Sequence, residues 1–266
     1  MTHRALPIGL LVLFVNASAT GGQSSGSPTR DPRALALATT SLQALAGPTT
    51  LSNLMLQAMA TYTAGSDLET GTATLEAFGD VASNVTLNLS SGRRQEIRNG
   101  PAGQWSGPDS VVHPMAVHNC WTDAAWFSPA FVLAEIANDA SIAVAYVGVV
   151  THDGITLQQI RFWRVALSQT MAAGPLIQAL SAEDLYFDAT GLPVALDFNT
   201  HADDDLNINI AVEIQYANYQ RTAGVLAPTL IHKLLNNSPL LDFSVTAVAV
   251  NTNLSPSDFT VTAQPL

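Results

Sequence analysis

Cysteine is all but missing from this chain: Cys120 is the only one in 266 residues. A single cysteine closes no internal disulfide. The fold therefore rests on its core, and a buried small apolar side chain is the plainest reading of Cys120. Lysine is equally scarce. Lys233 stands alone beside nine arginines, charged residues make up 12% of the chain, and the formal net charge is −11. Phosphate neutralisation needs clustered cations, so nucleic acid is a poor partner and an anionic membrane surface is no better. The acidity serves solubility. No H-E-x-x-H zinc helix, P-loop or G-x-G-x-x-G cradle is present. Beyond the N-terminus, no run reaches the roughly 18 apolar residues of a membrane-spanning helix.

The N-terminus is ordered like an export signal. Met1-Thr2-His3-Arg4 is basic, Ala5 to Val15 is apolar but too short to span a bilayer, and Ala17-Ser18-Ala19 is an A-x-A cleavage site. Residues 1–19 are expected to be removed, leaving an exported chain, periplasmic or extracellular. Residues 20–30, rich in Gly, Ser and Pro, read as a flexible tether. One domain is expected over 31–266, since nothing later reads as a linker.

The domain opens on a helix. Asp31 is placed to cap it, Pro32 to start it and Gly47-Pro48 to end it, with Leu35, Ala38, Leu42 and Leu45 forming one apolar stripe. Hairpins follow. Val85, Leu87 and Leu89 alternate with Thr86 and Asn88. Ile208, Ile210, Val212, Ile214 and Tyr216 alternate with Asn209, Ala211, Glu213 and Gln215, the period of a strand with one buried face. Asp153-Gly154, Gly191, Gly224 and Asn236-Asn237 mark reversals. Residues 108–121 read as a loop. A helix carrying Trp126, Phe127 and Phe131 follows, restarted at Ser128-Pro129, and a short helix opens at Gly174-Pro175. The tally is about 10–11 strands in antiparallel meanders, with helices to cover the apolar face.

This order resembles the LolA/LolB-like lipoprotein-carrier superfamily and its exported LppX-type and RseB-type relatives. The likeness rests on the leading helix 31–46, the aromatic helix Trp126–Asn138 between two groups of strands, and the final strand Phe243–Asn251 followed by Asn253-Leu254-Ser255 and Phe259. It implies an α+β fold: a single curved antiparallel sheet, a half-open β-barrel with helices packed on its concave side. It also implies a lipid or other apolar small molecule sheltered between sheet and helices. Carriers of this group keep an arginine in an early strand that ties down the helical lid. Residues 54–78 contain none, and Arg93, Arg94 and Arg98 come later.

An apolar ligand needs no polar motif, because about 25 cal/mol per Å² of surface removed from water suffices to hold it. Candidate lining residues are Val85, Leu87, Leu89, Trp126, Phe131, Ile210, Val212 and Ile214; each reads equally as core. No catalytic residue, metal ligand or cofactor is assigned. His113, His118 and Cys120 lack zinc spacing and a fourth ligand. His201 with Asp203 to Asp205 reads as a polar turn. The expectation is a non-enzymatic binding or carrier protein. The alternatives are an interaction protein of the cell envelope with a filled core and a protein partner, or a hydrolase joining His113, His118 or His201 to a carboxylate from another hairpin.

Overall fold

The computed structural model of the protein describes residues 29–79, 81–165 and 174–263. The export signal over 1–19 and the tether up to residue 28 lie outside the described residues. Helix α1 (Pro32–Ala46) starts where expected. Asp31 Oδ1 accepts from the backbone N–H of Arg33 (2.8 Å) and of Ala34 (3.0 Å), meeting donors that a helix start leaves unpaired. Gly47, at φ 59°, donates its N–H to Gln43 O and ends the helix. The buried stripe is Ala34, Ala38, Ser41 and Leu45, while Leu35 and Leu42 flank it half-buried. The difference has a packing reason. α1 lies on a second helix, α2 (Pro129–Asn138), and small side chains let two helix axes approach.

Thirteen strands form one antiparallel sheet among the described residues. Six precede α2: β1 (Asn53–Ala64), β2 (Asp67–Phe78), β3 (Ala82–Leu89), β4 (Gly92–Asn99), β5 (Ala102–Ser106) and β6 (Val112–Pro114). After α2 come β7 (Ile142–His152), β8 (Ile155–Arg164), helix α3 (Gly174–Leu180), β9 (Glu183–Phe187), β10 (Pro193–Ala202), β11 (Asp205–Thr222), β12 (Val225–Leu235) and β13 (Ser238–Val250). The spatial order is β6-β5-β4-β3-β2-β1-β13-β12-β11-β10-β9-β8-β7. The first and last strands pair at the middle, from Leu54 opposite Val250 to Tyr62 opposite Leu241. β6 and β7, consecutive in the chain, are the two edges, and the connection carrying α2 runs between them.

The half-barrel with internal helices is the fold expected; the strand count is higher. The segment expected as a loop over 108–121 contains β6, which pairs His113 with Trp105, and a 3-10 turn at Val117–Cys120. Three residues ending in proline are too short to show a period. The aromatic helix begins later than expected. Ser128 is extended (φ −125°, ψ 93°), as a residue before proline must be. Trp126 and Phe127 therefore sit on turns, and the helix starts at Pro129.

One core cluster joins the inner faces of both strand groups to the helices: Leu54, Leu56, Leu75, Val85 and Leu87 on one side, Val212, Ile214, Tyr216 and Ile231 on the other, and Trp126, Phe127, Phe131 and Ile136 between them. On the outer face, the C-terminal turn Pro256–Phe259 plugs Phe259, fully buried, against Ala82, Ile97 and Phe78.

Candidate ligand-binding site

The segment from Trp121 to Asn138 lies over the inner face as a lid. Its first part, 121–128, has few backbone partners of its own, and buried backbone groups must find partners somewhere. Side chains from the strands provide them. Arg98 of β4, itself 4% exposed, donates to the carbonyls of Asp123 (3.0 Å) and Thr122 (2.5 Å). Arg164 of β8 donates to Trp121 O (2.8 Å) and pairs with Glu135 of α2 (2.5 Å). Glu183 of β9 accepts from Asp123 N–H (2.7 Å). Tyr216 of β11 donates its hydroxyl to Trp126 O (2.5 Å). Residues 54–78 carry no arginine, and the lid is held instead by Arg98 of β4 and Arg164 of β8.

Beneath the lid, three carboxyls and two arginines share one buried cluster. Burial, with Glu183 beside it, pushes the Asp123 carboxyl up to about 7. Burial, with Glu135 beside it, pushes Glu183 up to about 8. Both are neutral for much of the range in which an exposed carboxyl is charged.

Two cavities open beside this cluster. One, of about 280 Å³, is lined by Tyr62, Val85, Leu87, Trp126, Lys233 and Leu241, among others. The other, of about 250 Å³, is lined by Arg98, Met115, Trp126, Phe198, Val212 and Lys233, among others. Glu96, Trp105, Trp126, Lys233 and Leu240 line both. Each is a little below the roughly 300–1,000 Å³ of typical ligand pockets, and the two share part of one wall. Of the residues singled out in the sequence, Val85, Leu87, Trp126 and Val212 line this space. Leu89, Phe131 and Ile214 are closed into the core, and Ile210 is half-buried and lines neither cavity. Sequence reasoning missed Trp105, Glu96, Arg98, Leu240 and Lys233. For Lys233 a signal existed: it shares strand parity with Val225, Ala227 and Ile231, all buried.

The histidines do not build the hydrolase site considered. His113 stacks on Trp105 with centroids 4.3 Å apart. His118 and His201 meet edge to face at 5.8 Å. Cys120 is buried, and burial raises its thiol pKa. The histidines that meet carboxylates are others: His152 with Asp197 (3.1 Å) and His232 with Asp242 (2.5 Å). Among the described residues neither bonds a serine or threonine hydroxyl. His152, Asp197 and Glu213, on the outer face, bring their ligand atoms within 4.8 Å of one another. Three such groups suit a divalent cation. Yet all three are already engaged, His152 and Asp197 with each other and Glu213 with Gln215 (2.8 Å).

The fold is LolA-like. A domain named for outer membrane lipoprotein sorting, from Vibrio parahaemolyticus, superposes with a TM-score of 0.52 at 10% identity, covering 85% of this chain and 96% of its own. A LolA superfamily protein from Nitrosomonas europaea gives 0.52 at 13% identity, covering 86% and 97%. A DUF1329 family protein from Desulfovibrio piger gives 0.51 at 11% identity, covering 86% and 96%. No protein-family model matches the sequence, and no curated protein matches it. No helix among the described residues is long and apolar enough to cross a membrane.

Proposed function

We propose that this chain is an exported, non-enzymatic binding or carrier protein, freed of residues 1–19, whose single domain over 31–266 shelters a lipid or other apolar molecule between sheet and lid. The observation that carries the reading is the pair of neighbouring cavities beside the lid, one walled by Val85, Leu87, Trp126, Leu240 and Leu241. Burial of a methylene contributes about 0.8 kcal/mol, so about ten methylenes supply the ~8 kcal/mol of micromolar binding before ordering costs. The neighbour named for lipoprotein sorting has the same architecture, which fits the reading without fixing the ligand.

Native mass spectrometry of residues 20–266 purified from a bacterial periplasm tests it. A co-purifying lipid mass, removable by solvent extraction, is expected. Leu87→Trp, which fills the cavity from β3, should abolish that mass with the fold intact by circular dichroism. A clean apo mass that no lipid mixture shifts would turn the reading to a filled-core protein that docks a partner of the cell envelope.

A further inference from the structure

The only lysine of the chain stands on the wall of this cavity. Lys233 lies on the lid-facing side of β12, opposite Ile214 of β11 and Leu241 of β13. Its ammonium sits over the Trp126 ring, 4.3 Å from the centroid. Among the described residues no carboxylate lies within 4.0 Å of it, and no hydrogen-bond acceptor is paired with it. An ammonium kept among apolar side chains is costly unless something answers its charge.

No neighbouring carboxylate pairs with it. Glu69 is taken by Arg94 (3.0 Å). Asp203 is engaged by Asn119 (3.1 Å) and Ala116 N–H (3.3 Å). Burial pulls the lysine's pKa down; Glu96, which faces the same space from β4, opposes this without pairing with it, and Arg98 adds to the downward pull. Two further donors on residues of this wall have no acceptor: Trp126 Nε1 and Arg98 Nε. Donors thus stand unpaired beside an apolar chamber, with the Glu96 carboxylate on the same wall but not paired with the lysine.

We infer that the ligand is an acidic amphiphile whose oxyanion headgroup is held by Lys233, with its apolar chain lying against Val85, Leu87 and Leu241. The inference rests on the ligand-binding reading above and narrows it to one headgroup charge. A carboxylate or phosphate supplies the direct partner that the Lys233 ammonium lacks, and the ring of Trp126 holds the ammonium in place by a cation–π contact. A neutral lipid would leave the ammonium unanswered.

Oleate and methyl oleate have the same chain and differ in charge, so titrating both into the purified protein by calorimetry separates the two ideas. Oleate should bind on the order of tenfold more tightly, the factor that about 1.4 kcal/mol of charge-assisted hydrogen bonding gives. Lys233→Met should erase that preference. Lys233→Arg should keep the preference. Reductive ¹³C-methylation labels one side-chain amine in this chain, and its resonance should move with oleate and stay put with methyl oleate.

Equal affinity for ester and acid would overturn the headgroup assignment and leave the carrier reading standing. Binding of neither would overturn both. Inorganic phosphate bound without either lipid would show a free-anion site in place of a lipid site, and would also overturn the inference.

Discussion

Glu183→Gln should make the protein more tolerant of alkali. Glu183 is 2% exposed and accepts from the Asp123 N–H. Its carboxyl, ordinarily near 4.5, is pushed up to about 8 by burial first and by Glu135 second. Between those two values the folded chain keeps a proton that the unfolded chain releases. Stability from this group is therefore complete below about 4.5 and falls as pH rises towards 8. One proton corresponds to about 1.4 kcal/mol per pH unit, so the wild type should lose about 2 kcal/mol between pH 6 and pH 8 through Glu183 alone. Glutamine has the shape of the protonated acid, keeps the acceptor and does not titrate. At pH 6 the variant should already lead by about 2 kcal/mol, the loss accrued above pH 4.5, and at pH 8 its lead should have widened by about 2 kcal/mol more, about 4–8 °C in Tm for a domain of this size. Asp123 still titrates in both proteins, but the part of its upward push that comes from Glu183 is removed in the variant. Thermal unfolding followed by calorimetry at pH 6, 7 and 8 reads the difference. Parallel curves for the two proteins would refute the reasoning.

Arg98→Met removes two charged hydrogen bonds to lid carbonyls, each worth about 1.5–3 kcal/mol, and should lower stability by about 3–5 kcal/mol. Amide exchange should quicken first in residues 121–128; an even loss of protection across the sheet would contradict the tethering role. Gly71→Ala would place its Cβ 2.0 Å from Asn88 O of the neighbouring strand. The β2–β3 ladder must then shift, at a cost of at least ~1–3 kcal/mol, and an unchanged denaturation midpoint would argue against that close approach.

Much of the architecture was legible because alternation and turn chemistry are local. Val85, Leu87 and Leu89 face inward as their spacing required, and Asp31 caps its helix as its position required. Ile208 shows where the rule stops: it continues the alternation of β11 yet is 50% exposed, because the strand extends past the lid that would cover it. The lid's fastenings were not legible. Arg98, Arg164 and Glu183 are separated by long stretches of sequence and meet only through strand order. Asp123, Glu135 and Glu183 are far apart along the chain and gather only in space, where the lid meets β9. The cavity was half legible, since Val85 and Leu87 were in view. Lys233 escaped because a charged residue on a buried strand face breaks the pattern by which such faces are recognised.

The order of the strands gives the molecule the mechanics of a clasped cuff. Its spine is the ladder between the first and last strands, Leu54 to Tyr62 against Val250 to Leu241. Its rims are β6 and β7, and the stretch from Met115 to Ser141 is the strap that joins them. The sheet alone does not set how far apart the rims stand; the length of the strap and the bonds of Arg98 and Arg164 that cinch it do. A cut in the strap would leave two halves still joined along the spine. A few residues added to it would widen the mouth without altering one strand, so the spacing of the rims can change by editing a single connection.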